Sequence, residues 1–399
     1  MQSSHLTFTA GDLLGYLQNQ REKTIQLLHR MTLAESPSDV PAAQEEIRQI
    51  IATELEHLAY VVKRIPGRSS GGMLYARPTN RKHGGPVQLL LGHYDTVWPV
   101  GTLENMPFEA EGEIVRGPGV YDMKGGVALA LLAIQALQHF GAEPEVAPVI
   151  FLNSDEEIGS RDSRRYIESL APHMERVFVL EPSLGPSGLL KTSRKGIGRF
   201  TVTVQGEAAH AGLDPGAGAS AILELSHVIQ DLFALNDLDK GITVNVGTID
   251  GGLRPNVVAP KSQAVVDVRV ATQADAKAIE AAILSLEAVT PGTTLRVEGA
   301  FGRPAMEKTP ANRRLWMLAC QLASDLGFNL EEGMAGGGSD GNTTSLYTAT
   351  LDGMGAVGDG AHAHHEHLVL GRSLERAALL AMLLLAAPIN TGKQESAAA

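Results

Sequence analysis

Three short apolar runs in this chain end in groups that can do chemistry, and that recurrence constrains the fold more than any other feature. VQLLL at 87–91 leads into Gly92, His93, Tyr94 and Asp95; Val146 to Asn153 leads into Asp155, Glu156 and Glu157; Val177 to Leu180 leads into Glu181. Runs this short, without polar alternation, read as strands covered on both faces. A sheet covered on both faces is a layered α/β architecture, in which ligands gather at the carboxyl ends of the strands. The expected fold is therefore α/β, with a mixed, mostly parallel sheet under helices on both faces. Its working edge lies where His93, Glu156, Glu157 and Glu181 emerge.

Leu13, Leu14, Leu17, Ile25 and Leu28 recur at helical spacing, as do Ile47, Ile50, Ile51 and Leu55, so helices precede the first strand candidate, MLYA at 73–76. Gly125 to Phe140 reads as a long buried helix. After about Thr192 the texture changes. RFTVTVQG alternates strictly, a helical pattern runs from about Ala217 to Leu235, TVNVG and AVVDVRV read as strands, a second helix runs from about Ala274 to Leu286, and TLRVEG follows. That β-α-β-β-α-β order predicts an inserted ferredoxin-like α+β domain, an antiparallel sheet with two helices on one face. Helical patterns at 312–326 and 374–387, with the strand-like MGAVG between them, complete the first domain. A chain of 399 residues exceeds one ordinary core. The predicted division is a main domain over 1–193 and 307–392, an insertion over 194–306, and a small, polar, disordered tail at 393–399.

A net charge of −12 leaves no basic footprint, which argues against nucleic acid or an anionic membrane as partner. Cys320 is the only cysteine, so neither an intrachain disulfide nor a thiolate cluster is available, and any metal must be held by histidine and carboxylate. No run reaches the ~18 apolar residues of a bilayer span, and MQSSHLTFTAGDLL lacks a signal-peptide pattern, so the expectation is a cytoplasmic protein.

Two further stretches carry candidates. GPGVYDMKGG sets Asp122 in a glycine-bracketed turn, and GDGAHAHHEHLVL offers His362, His364, His365 and His367. Taken singly, each cluster has an ordinary structural reading: His93 as a core histidine, Asp122 as a helix cap, the glutamates as solvated charge, the histidines as a polar loop. Together they supply the imidazole and carboxylate set that divalent ions prefer. Adjacent glutamates repel unless a cation is near. If Asp122, Glu157 and Glu181 bind with two neutral histidines, three negative charges face four positive ones on two ions, and a bridging hydroxide brings the site to neutral.

GHYDTV, GPGVYDMKGG, NSDEEIGS, LEPS, GEAAHAG and GGGSDG, in this order and at these separations, resemble the dizinc metallopeptidase family of glutamate carboxypeptidases, aminoacylases and succinyl-diaminopimelate desuccinylase. The resemblance spans nearly the whole chain and is nearest to the bacterial glutamate carboxypeptidases, which share GRPA, here Gly302 to Ala305. It implies two Zn2+ per chain, with Co2+ or Mn2+ as substitutes. His93 and Glu181 would hold one ion and Glu157 and His362 the other, with Asp122 bridging both and a cis peptide between Asp122 and Met123. His362 fits the family's histidine followed four residues later by glutamate, here Glu366; His364 is its rival, and the extra histidines depart from the pattern. Glu156 would be the general base, and Asp95 would orient His93 without touching metal.

His210 would reach across a homodimer, through the insertion acting as lid and dimerisation domain, to polarise the scissile carbonyl. Asn256, Arg269 and Gly338 would hold the substrate's carboxylate or backbone, and Arg303 would read a second acidic group. The implied substrate is a small peptide or N-acyl amino acid. The implied reaction is hydrolysis of an amide next to a free carboxylate, releasing C-terminal glutamate or a similar amino acid. An N-acyl-amino-acid amidohydrolase or desuccinylase shares the chemistry, and a non-catalytic peptide-binding relative is the remaining alternative.

Overall fold

A computed structural model describes residues 8–389, so the tail expected at 393–399 lies outside the described residues. The chain divides into two compact units: one of Met1–Thr192, Lys308–Met334 and Ser339–Ala399, the other of Ser193–Glu307 and Ala335–Gly338. This differs from the expected division at Ala335–Gly338, which return to the second unit because Ala335 accepts the Lys195 N–H at 3.0 Å and the Arg194 guanidinium donates to the carbonyls of Gly337 and Gly338 at 3.2 Å.

In the first unit a six-stranded sheet has the order Tyr60–Ile65, Met73–Pro78, Ala147–Asn153, Val87–His93, Arg176–Val179, Ala349–Leu351. The last four strands run parallel, and the first two join by antiparallel pairing. All seven residues of Val87–His93 are buried, as a strand covered on both faces requires. Its side chains alternate accordingly. Leu90, Ile150 and Phe178 pack with the helices Gly125–His139 and Leu370–Leu385, while Leu89, Leu91, Val149, Phe151 and Val177 pack on the opposite face with Ile167. Each such side chain contributes about 1.5–3 kcal/mol by leaving water. Val120–His139 has the length and mean hydropathy, 1.3, of a membrane span, but 89% of its apolar window is buried, which marks the core of a folded domain.

One expected element is absent. MGAVG is not a strand of the main sheet; the edge strand is Ala349–Leu351 just before it. Gly353 turns the chain with φ +80°, and Gly355 presses so close to the Leu180 carbonyl that a Cβ there would lie 2.2 Å away, so the segment packs as buried, irregular chain.

The second unit carries a four-stranded antiparallel sheet in the order Thr243–Gly251, Lys261–Val270, Gly196–Gln205, Thr294–Arg303. Phe200, Val202, Val204, Val266 and Val268 point to one side, and the helices Ala221–Ala234 and Gln273–Leu284 bury Leu225, Val228, Ile279 and Ile283 against it.

Candidate metal centre

The chemistry-bearing residues of the first unit converge at the carboxyl ends of its parallel strands. His93 closes its strand with 1% exposure. Its Nδ1 lies 3.0 Å from the Asp95 carbonyl and 3.3 Å from Asp95 Oδ1, which turns Nε2 toward the acids. That Nε2 is 3.4 Å from Asp122 Oδ1 and 3.5 Å from Glu181 Oε1. On the other side, His362 Nε2 is 3.7 Å from Asp122 Oδ2 and 3.1 Å from Glu157 Oε2. Asp122 thus presents one oxygen to each imidazole. Atoms of His93, Glu156 and Glu181 lie within 4.8 Å of one another, as do atoms of His93, Asp122 and Glu157.

Local chemistry holds each piece in place. Asp95, fully buried, accepts from Ser38 Oγ at 2.6 Å and from the peptide N–H groups of Glu156 and Glu157 at 3.3 and 3.2 Å. One carboxylate therefore fixes both the His93 ring and the turn carrying the glutamate pair. Glu366 does the same for the Asp122 turn, accepting from the backbone of Gly119, Tyr121 and Asp122 at 2.9–3.0 Å and from Trp98 Nε1 at 2.7 Å. The Asp122–Met123 peptide in this turn is cis. Lys191 Nζ stands 3.7 Å from Glu181 Oε2, leaving Oε1 facing His93. Sequence reasoning gave no part to Ser38, Trp98 or Lys191 and read Glu366 only as a spacing mark.

His362 sits at φ +61°, a left-handed conformation that brings its ring to the carboxylates, whereas the His364 ring lies 5.5 Å from that of Trp98. The site's electrostatics call for positive charge. Burial and the neighbouring Asp122 push the Glu157 carboxyl up, and Glu157 holds the His362 imidazole up in turn. Burial depresses His93, but Asp122, Asp95 and Glu181 raise it well above the ordinary histidine value. Among the described residues, the buried Nε2 of His93 and Oδ1 of Asp122 have no hydrogen-bond partner. Facing imidazole and carboxylate atoms of this kind fit divalent cations.

The remaining candidates belong to the second unit. His210 is exposed, and its Nδ1 accepts the peptide N–H groups of Gly212 and Leu213 at 3.1 Å, so its own proton sits on Nε2. Asn256 is exposed and its carbonyl accepts the Ala211 N–H at 3.0 Å, which joins its loop to that of His210. Arg269 is clasped by Asp267, Nε at 2.7 Å and Nη2 at 3.0 Å, so its fork already meets a carboxylate within its own strand. Arg303 is buried, and a Cβ on Gly338 would lie 2.8 Å from its Cδ, so only glycine leaves the arginine stem its place.

Residues 89–386 match the model of Peptidase family M20/M25/M40. The chain belongs to that family. This M20 chain is therefore a metallopeptidase, and divalent metal ions are the cofactors such a site takes. It is 28% identical to carboxypeptidase G2 of Pseudomonas sp. (strain RS-16) over 344 residues, 84% of this chain and 82% of that one. Its fold is similar to that of aminopeptidase PepT from Bacillus cereus, with a TM-score of 0.78 at 19% identity over 92% of this chain and 98% of that one. It is also similar to the YXEP protein of Bacillus subtilis, described as a dinuclear metal binding peptidase of the M20 family, with a TM-score of 0.64 at 15% identity over 94% of this chain and 98% of that one.

Proposed function

We propose that this M20 peptidase is a two-zinc hydrolase that cleaves an amide next to a free carboxylate and releases a C-terminal amino acid such as glutamate. The observation that carries the proposal is the division of Asp122, whose Oδ1 lies 3.4 Å from His93 and whose Oδ2 lies 3.7 Å from His362. One carboxylate facing two imidazoles, with Glu181 beside the first and Glu157 beside the second, supports two neighbouring ions rather than one. His93 and Glu181 would hold one ion and Glu157 and His362 the other, with Asp122 shared between them; Co2+ or Mn2+ would suit the same donors. When bound, the ions polarise the scissile carbonyl and acidify a water molecule.

The other steps fall to the chain's own groups. Glu156, in a turn anchored by Asp95, takes the proton of the attacking water and passes it to the departing amine. His210, reaching across the homodimer, donates a hydrogen bond from its Nε2 to the carbonyl oxygen as charge develops there. Asn256, Arg303 and the Gly338 backbone meet the substrate's carboxylates, with a smaller part for Arg269, whose fork Asp267 engages. A homodimer belongs to the proposal, supported by the exposed apolar side chains Leu213, Ile249 and Leu253 of the second unit. The likeness to carboxypeptidase G2 supports the choice of a C-terminal substrate.

A substrate panel with the zinc-loaded enzyme tests this reading: a folyl-glutamate, dipeptides ending in glutamate, N-acetyl amino acids, N-succinyl-diaminopimelate and the same peptides with amidated C-termini. Release of C-terminal glutamate should be fastest, and amidation should abolish it. Preference for the amidated peptides, or for N-acetyl or N-succinyl substrates over peptides, contradicts it.

A further inference from the structure

The glutamate pair is anchored from behind by a residue of the GGGSDG stretch. The loop from Asn153 to Ser160 leaves the end of its strand, carries Glu156 and Glu157, and turns back through Gly159 at φ +94° and Ser160 at φ +55°. Both of its ends are held by one carboxylate, that of Asp340. Asn153 Nδ2 donates to Asp340 Oδ2 at 2.6 Å, and Ser160 Oγ donates to Asp340 Oδ1 at 2.5 Å. Asn153 lies opposite His93 in the parallel register, and its carbonyl accepts the Tyr94 N–H at 2.9 Å, so the same grip reaches the end of the His93 strand. Asp340 is itself fixed. It opens the short helix Asp340–Thr344, whose N-cap Ser339 donates to Asp352 Oδ2 at 2.5 Å, and Asp340, Asp352, Asn153 and Ser160 are all buried.

Ser160 shows that this grip has a cost. A serine in the left-handed region is disfavoured by ~1–2 kcal/mol relative to right-handed backbone, a penalty glycine escapes. A glycine would suit the turn, yet only a side-chain donor can bind Asp340. With Asp95 holding the Glu156 and Glu157 N–H groups from one side and Asp340 holding both loop ends from the other, the two carboxyl groups are presented on a loop bonded at four points.

We infer that Asp340 is a positioning residue, acting through Asn153 and Ser160 to set where the carboxyl groups of Glu156 and Glu157 stand relative to His93. The inference rests on the proposed roles of Glu156 as base and Glu157 as metal ligand. Asp340→Asn keeps the shape but turns an NH2 toward one of the two donors; Ser160→Gly removes the hydroxyl while relieving the backbone, so it frees the Ser160 end of the loop without a folding penalty from strain.

The test compares these two variants and their combination, in the full chain, by kcat and KM on a peptide ending in glutamate, zinc content, melting temperature and the visible spectrum of the Co2+ form. Each single variant should keep its zinc and its KM within about 2-fold, lose about 10- to 100-fold in kcat, and shift the Co2+ bands because Glu157 moves. The double variant should fall no further than the worse single, since both act through one carboxylate. Singles with wild-type kcat and an unchanged Co2+ spectrum overturn the inference, as does a kcat loss that follows only the fraction unfolded. Failure of the catalytic reading looks different: wild-type protein without metal-dependent hydrolysis, or Glu156→Gln with normal turnover. The Co2+ spectrum then still decides the role of Asp340.

Discussion

Glu366 grips Asp122 by its backbone: Oε1 accepts the Asp122 N–H at 3.0 Å while the same carboxylate takes the N–H groups of Tyr121 at 2.9 Å and Gly119 at 3.0 Å. Because Glu366 follows His362 by four residues, one segment both offers an imidazole and fixes the turn carrying the bridging candidate. Replacing Glu366 with Gln points an amide NH2 at backbone donors that need an acceptor. The variant should lose about 10- to 100-fold in metal affinity, measured by competition with a chelator.

His362 and His364 should separate cleanly. His362→Ala removes the imidazole 3.1 Å from Glu157 and should drop the metal content from two ions per chain toward one, with turnover falling ~100-fold or more. His364→Ala removes only a ring beside Trp98 and should leave the metal content, read by elemental analysis, unchanged.

Much of this geometry was legible in the sequence. The His93 and Glu156–Glu157 clusters stood out because each follows an apolar run, and an α/β sheet delivers strand ends to one edge. Asp122 stood out through its flanking glycines. What could not be read was what holds them. Asp95 reaches 61 residues ahead to the Glu156 N–H, Glu366 reaches back 244 to the Asp122 N–H, and Asp340 reaches back 187 to Asn153. Hydrogen bonds at such separations leave no periodic trace in a sequence. Nor could apolar content distinguish MGAVG, a buried irregular segment, from the edge strand Ala349–Leu351 beside it, because burial alone looks the same in both.

Acid should weaken the first unit through Glu332. Partial burial opposes its ionisation, but Thr192, Arg313 and Lys308 together hold its carboxyl down at about 2, below the unfolded glutamate value of about 4.3. A lowered native value means stability present above the unfolded pKa and lost as pH falls toward about 2. Glu332→Gln should therefore lower the melting temperature at pH 7 and make little difference near pH 2.5, as calorimetry across that range would show.

Arg176 ties down the end of the helix Leu370–Leu385. Fully buried, it donates to the carbonyls of Ala386 at 2.6 Å and Ala387 at 3.0 Å and to Gln88 Oε1 at 2.8 Å. Arg176→Met keeps the apolar stem but leaves these acceptors without a donor, and should cost about 3 kcal/mol in urea unfolding.

The central claim is that Glu156 moves the proton while other groups hold the metal. The most direct measurement is kcat of Glu156→Gln on a peptide ending in glutamate, with metal content determined on the same sample. Two ions per chain with kcat reduced by about 10²–10⁴-fold is the result expected of a lost general base. Two ions per chain with near-normal turnover would contradict the account.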